Sequence, residues 1–228
     1  MKIKDGVAIV TGSGTGIGAE TAKLLASRGW RVVVNYSRSR DEAEATAEEC
    51  RQFGNDVLLH QADIAKDADC RAMAAAAIER WGRIDALVNN AGKTKPTPPG
   101  DLEALNAEDF HDIYAVNLVG NYQMIRAVVP QMKAQGGGEI VNVSALGALT
   151  GEGSSIAYAA SKGALNAMTL SLARQLAPLI RVNAVCPGFV ATRWMKKCSA
   201  KSASISASKR WQRSPMLEKP PLPKTSPR

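Results

Sequence analysis

Short apolar runs alternate along the chain with longer stretches whose apolar residues recur at helical spacing. Residues 7–10 (VAIV) form a continuous apolar run that ends in Thr-Gly. Such a run, bounded by turn residues, predicts a strand buried on both faces. Ile17, Leu24 and Leu25 keep helical spacing until Gly29. Residues 31–36 hold VVV and predict a second strand, and the Ala- and Glu-rich stretch 41–53 predicts a helix closed by Gly54. A third strand is expected over 56–61, a helix over 67–81 that stops at Gly82, and a fourth strand over 85–89. Residues 106–133 read as one long helix, ended by the glycines at 136–138, and 139–143 as a fifth strand. A further helix over 158–176 carries an apolar stripe at Leu165, Met168, Leu172 and Leu176, before a sixth strand over 180–186. Strands alternating with helices predict an α/β fold, a doubly wound parallel sheet with helices on both faces. Ligands of such folds bind beyond the carboxyl ends of the strands.

The rhythm stops near residue 195. Residues 196–228 hold seven serines and five prolines with no sustained apolar period. That composition predicts a disordered tail after a folded domain over 1–195. The tail also changes the meaning of the net charge of +8, because it carries nine basic residues against Glu218 alone. The body is neutral, so no nucleic-acid partner is expected; Trp211 is the one aromatic among the tail's charges. The chain has neither a signal-peptide pattern nor eighteen consecutive apolar residues, so no membrane association and a cytoplasmic location are expected. Cys50, Cys70, Cys186 and Cys198 are scattered, and His60 and His111 lack ligand spacing, so no metal site or disulfide framework is expected.

The first strand runs into TGSGTGIG, residues 11–18. Gly12, Gly16 and Gly18 stand between a strand and a helix. There, backbone can approach a pyrophosphate and the helix N-terminus can meet its charge. The second strand should end beside the adenosine ribose, where an acidic residue would select NAD. Here the stretch is NYSRSR, with Ser37, Arg38 and Arg40 and no acid before Asp41. Arginine matches phosphate geometry, so NADP is expected as cofactor, with NAD the alternative.

The ordered motifs TGSGTGIG, Asp63-Ile64, NNAG at 89–92, Asn117 in VNLVG, Ser144 in NVSALG, YAASK at 158–162 and PGFVAT at 187–192 resemble the short-chain dehydrogenase/reductase family over about residues 3–195. The general look is of 3-oxoacyl-thioester reductases and small alcohol or polyol dehydrogenases. The resemblance implies a Rossmann fold and an NAD(P)-dependent oxidoreductase that interconverts a small-molecule carbonyl and a secondary alcohol. It implies a catalytic tetrad of Asn117, Ser144, Tyr158 and Lys162. It places the cofactor against Gly12, Ser13, Thr15, Gly16, Ile17 and Gly18, and against Tyr36, Ser37 and Arg38. Asp63 and Ile64 would meet the adenine, and Asn89, Ala91 and Gly92 would support the adenosine side. Pro187, Gly188, Val190 and Thr192 would hold the nicotinamide, with Tyr158 and Lys162 in contact as well. A homodimer or homotetramer is implied, with the helix of residues 158–176 pairing between subunits.

Tyr158 and Lys162 lie four apart and so share one helical face. A free phenol ionises near pH 10, and a cation about 4 Å away is worth roughly 4 kcal/mol, about three pKa units. Lys162 would thus ease the tyrosine's proton transfer, Ser144 would hold the substrate oxygen, and Asn117 would anchor a water linking Lys162 to solvent. Family members continue beyond PGFVAT with a substrate-covering segment, a helix and a last strand. In this chain the serine- and lysine-rich tail stands there, so the last helix and strand are expected to be missing. The tail reads as the product of a frameshift or truncated frame. The alternative function is therefore a catalytically impaired or cofactor-binding-only member.

Overall fold

The computed structural model describes residues 5–190. Its strands are β1 (Val7–Val10), β2 (Arg31–Tyr36), β3 (Val57–Gln61), β4 (Ala86–Asn89), β5 (Gly138–Val143) and β6 (Ile180–Val185). They form one parallel sheet in the order β3-β2-β1-β4-β5-β6. The chain winds outward from β1 to β3, then returns past β1 to build β4 to β6. The direction reverses between β1 and β4, and a crevice opens at the carboxyl ends there. The doubly wound sheet is as the alternating pattern predicts.

The helices are α1 (Gly16–Ser27), α2 (Arg40–Arg51), α3 (Asp67–Trp81), α4 (Ala107–Tyr114), α5 (Asn121–Ala134), the short α6 (Gly147–Thr150) and α7 (Ile156–Leu176). All four residues of β1 are fully buried, which is why its apolar run does not alternate. On one face, α3, α5 and α7 pack over Ile9, Val33, Leu87, Ile140, Ile180 and Val182. On the other, Ala22 and Ala26 of α1 and Ala43, Ala47 and Cys50 of α2 cover Val10, Val32 and Val34. Small residues let these two helices sit close to the sheet. Among the described residues β6 pairs only with β5, and Val185 near its end is exposed. No described helix is long and apolar enough to cross a membrane.

Three elements differ from expectation. The long helix over 106–133 is α4 and α5 joined by a π-helical segment, Ala115–Gly120. A π turn widens the helix by one residue and so rotates the facing of α5 relative to α4; apolar periodicity is too coarse to register it. Gly120 ends this segment against the β3–α3 loop, where a Cβ would stand 2.8 Å from the Ile64 carbonyl oxygen. The second difference is α6, a single turn in the segment after Ser144. The third is the stripe on α7. Leu165 is fully buried, and the partly buried Met168, Leu172 and Leu176 pack on the first core, so the stripe faces this chain's own sheet. Ile156 and Leu170 are exposed on the same helix. The tail over 196–228 and Thr192 lie outside the described residues.

Gly120→Ala tests the closeness of the π segment to the Ile64 loop. Alanine's better helix propensity returns about 1 kcal/mol, but the clash with backbone costs more than that. The net loss should be about 1–2 kcal/mol, read as a lower midpoint in chemical denaturation; an unchanged or raised midpoint would show that the Ile64 loop yields.

Candidate active site

A cavity of about 890 Å³ follows the crevice along the carboxyl ends of the strands. At one end lies the glycine loop. Thr11 N–H donates to the Val88 carbonyl (3.0 Å), and Gly12 N–H donates to Asn35 Oδ1 (2.9 Å). Gly12 and Gly16 both have φ of 61°, a left-handed backbone that glycine adopts without strain. A Cβ on Gly12 would also stand 2.9 Å from the Ala91 Cα. Gly12, Thr15, Gly16 and Ile17 line the cavity. Thr15 is the N-cap of α1, and its side chain makes no capping hydrogen bond. The first-turn N–H groups of α1 therefore remain available at a positive helix end, an arrangement suited to a pyrophosphate.

Two residues of the loop serve the fold. Ser13 is fully buried; its hydroxyl donates to the Val10 carbonyl (2.7 Å) and accepts from Asn35 N–H (2.9 Å). Gly18 allows helix α1 to reach the NNAG turn, because a Cβ there would meet Asn90 Nδ2 at 2.4 Å and the Gly12 carbonyl oxygen at 2.6 Å. Asn90 and Thr11 were not singled out from the sequence, yet they join the two turns. Asn90 Nδ2 donates to the carbonyls of Thr11 (3.0 Å) and Gly12 (3.1 Å), and Thr11 Oγ1 accepts from the N–H groups of Asn90 and Ala91 (both 3.0 Å). The doubled asparagine in NNAG was the available signal. Ala91 and Gly92 line the cavity, while Asn89 is buried behind them.

At the exit of β2, Tyr36, Ser37 and Arg38 line the cavity, facing Asp63 and Ile64 from the exit of β3. Asp63 Oδ1 accepts from Ala65 N–H (3.1 Å), which fixes the turn. Beside it a smaller cleft is lined by Ser37, Arg38, His60 and Lys66, among others.

At the other end stand Ser144, Tyr158 and Lys162, all lining the cavity. Ser144 sits at the exit of β5, with its N–H on the Val185 carbonyl (2.8 Å) and its hydroxyl on the Lys162 carbonyl (3.1 Å). Ser155 caps α7 by accepting from Tyr158 N–H (3.3 Å). Lys162, one turn on, is 3% exposed, and its Nζ donates to the Val143 carbonyl (2.7 Å). The ammonium lies 5.8 Å from the centre of the Tyr158 ring. Pro187, Gly188 and Val190 close the side beyond β6, with Leu146 N–H bonded to the Pro187 carbonyl (2.9 Å).

Asn117 lies behind this group on the π segment. Its Nδ2 donates to the Lys93 carbonyl (3.0 Å) and to Ser161 Oγ (2.9 Å), and its Oδ1 accepts from Lys93 N–H (2.7 Å). Ser161 Oγ in turn donates to the Tyr158 carbonyl (2.7 Å). Both amide hydrogens of Asn117 are thus committed to structure, and its side chain has none left to donate to the expected water.

Burial lowers the Lys162 pKa from its usual 10.5 to about 8, partly opposed by Cys186 nearby. Folding therefore shifts the lysine towards the neutral amine relative to the unfolded chain, though below about pH 8 it stays charged. Below about pH 8 lysine is protonated in both states and the full cost of burying it is felt. Between about pH 8 and 10.5 the unfolded chain binds more protons, so stability rises with pH. Lys162→Met should remove this dependence. The stability of the native protein relative to the variant should rise by about 3 kcal/mol from pH 7 to 10.5, measured by urea unfolding at a series of pH values. Parallel curves would contradict the buried ammonium.

A sequence profile described as short chain dehydrogenase matches residues 6–203. The match passes the composition break expected after 195. The chain is 38% identical over 184 residues to the 3-oxoacyl-[acyl-carrier-protein] reductase FabG of Staphylococcus epidermidis, covering 80% of this chain and 74% of that protein. A solved short-chain dehydrogenase/reductase structure from Burkholderia xenovorans superposes with a TM-score of 0.80 at 46% identity, over 82% of this chain and 78% of that one. The structure of an NAD+-bound xylitol dehydrogenase superposes with a TM-score of 0.82 at 31% identity, over 90% and 79%. The chain belongs to the short-chain dehydrogenase/reductase family, whose members are NAD(P)-dependent oxidoreductases that interconvert carbonyl and alcohol groups.

Proposed function

We propose that this protein interconverts a carbonyl and a secondary alcohol on a small molecule, with Tyr158 as acid/base and NADP preferred over NAD. The observation that carries the reading is one continuous cavity, with a glycine cradle at one end and Ser144, Tyr158 and Lys162 at the other. The glycine loop, Asp63 and the Pro187–Gly188 turn would hold a nicotinamide dinucleotide, which supplies or takes the hydride when bound. The protein handles position and the proton. Ser144 lines the same end of the cavity, and its hydroxyl would turn from the Lys162 carbonyl to donate to the substrate oxygen, while Tyr158 would give that oxygen a proton in reduction or take one in oxidation. The Lys162 ammonium supports the phenolate form and is itself fixed by the Val143 carbonyl. With its pKa near 8, Lys162 is charged at neutral pH yet close enough to exchange its own proton.

Preference for NADP is supported by what surrounds the exit of β2. Ser37, Arg38 and Lys66 line one small cleft there, together with the carboxylates of Asp63 and Asp69. A 2′-phosphate would gain charge-assisted hydrogen bonds from Ser37, Arg38 and Lys66. A homodimer is also proposed, with the exposed Ile156 and Leu170 of α7 as the contact, since the apolar stripe packs on the chain's own core.

Two variants test these assignments. Tyr158→Phe should lower turnover by at least about a hundredfold while leaving the cofactor dissociation constant within about twofold; comparable turnover would sink the acid/base role. Arg38→Ala removes a charged hydrogen bond worth about 1.5–3 kcal/mol. It should weaken NADPH binding roughly tenfold to a hundredfold and leave NADH binding unchanged, as read by fluorescence titration. Equal losses for both cofactors would remove the arginine from the 2′-phosphate.

A further inference from the structure

A ladder of buried amides lies behind α7, outside the tetrad. Asn89, Asn121 and Asn142 are all fully buried. Asn89 Nδ2 donates to the Asn121 carbonyl (3.3 Å) and to Asn142 Oδ1 (3.0 Å). Asn142 Nδ2 donates to Thr169 Oγ1 (2.9 Å), which donates to the Leu165 carbonyl on α7 (2.7 Å). Asn121 Nδ2 donates to the main-chain carbonyl of Asn117 (2.8 Å). These bonds fix each amide's orientation. Turning Asn89 over would set its oxygen against two other oxygens, and turning Asn121 would set its oxygen against the Asn117 carbonyl.

Two buried acceptors then meet no protein donor: Asn89 Oδ1 and Asn121 Oδ1. Each would cost about 1–3 kcal/mol if left so, and native proteins satisfy such groups with ordered water. The two residues are neighbours, since the amide of one reaches the main chain of the other. Each lacks a donor, and water is a small molecule that carries two O–H donors. We propose that Asn89 Oδ1 and Asn121 Oδ1 hold a buried water between β4 and α5, and that Asn121 is a positioning residue for the Asn117 carbonyl. The amide bond to that carbonyl spans the junction of the π segment and α5. It holds the turn that fastens Lys93 on one side and, through Ser161, the Tyr158 main chain on the other. The water completes the amide's own hydrogen bonding and so keeps it in place.

The positioning role rests on the proposed acid/base chemistry; the water does not. A crystal structure of the full chain at high resolution should show a water within about 3.2 Å of both oxygens. A dry site, or protein donors on those oxygens, would overturn the water. Asn121→Leu removes the donor to the Asn117 carbonyl and the acceptor to the water together. With NADPH and acetoacetyl-CoA as probes, it should lower kcat about tenfold while the KM for NADPH stays within about twofold. A variant that loses thermal stability but keeps native kcat would overturn the positioning role. Should this variant not fold, the crystallographic water decides. If Tyr158→Phe keeps full turnover while the water is present, the acid/base reading fails and the water site stands.

Discussion

The site depends on a charge kept almost out of water. Lys162 is one turn along α7 from Tyr158, and a hydrogen bond to the Val143 carbonyl is what makes its burial tolerable. A buried ammonium without a partner is far more costly than one that is bonded. Several parts of the fold serve that need. β5 must end where Val143 can present its carbonyl, α7 must begin at the Ser155 cap, and Ser144 must tie the two by bonding the Lys162 carbonyl. The π segment then holds α7 from behind through Asn117 and Ser161.

The same crevice also receives the glycine loop, because the winding reverses between β1 and β4. Thr11, Asn35 and Asn90 use their side chains to draw the loop against the exits of β2 and β4. Glycines at 12 and 18 are needed there because other backbone and the Asn90 amide occupy the space of a Cβ. Buried polar groups of this kind must all be paired, and doing so fixes one arrangement of the turns. The chemistry at the far end of the cavity thus inherits a rigid frame.

Much of this was legible in the sequence. Alternating apolar runs gave the strands nearly to the residue, as with 31–36 for β2, because strands buried on both faces tolerate few polar residues. The glycine loop and the Tyr158–Lys162 pair were visible as motifs in order. Other features lay below what pattern carries. The π segment changes a helix by one residue within a stretch that otherwise keeps helical spacing. Ser13 looked like part of a phosphate loop, while its hydroxyl bonds within the turn. The stripe on α7 gave its amphipathic period correctly but not which surface it covers, since an inward core and a subunit contact leave the same spacing. Asn90 and Asn121 carry no charge or titration that would mark them; their weight comes from hydrogen bonds between segments far apart in the chain.

The most direct test of the central claim tracks a labelled hydride. NADPH deuterated at C4 would be incubated with acetoacetyl-CoA and the protein, and the product examined by mass spectrometry and NMR. The account predicts one deuterium on the new carbinol carbon, with the alcohol proton drawn from solvent. Bound NADPH with no labelled alcohol from this or other carbonyl compounds would contradict it, leaving a fold that holds the cofactor without using it.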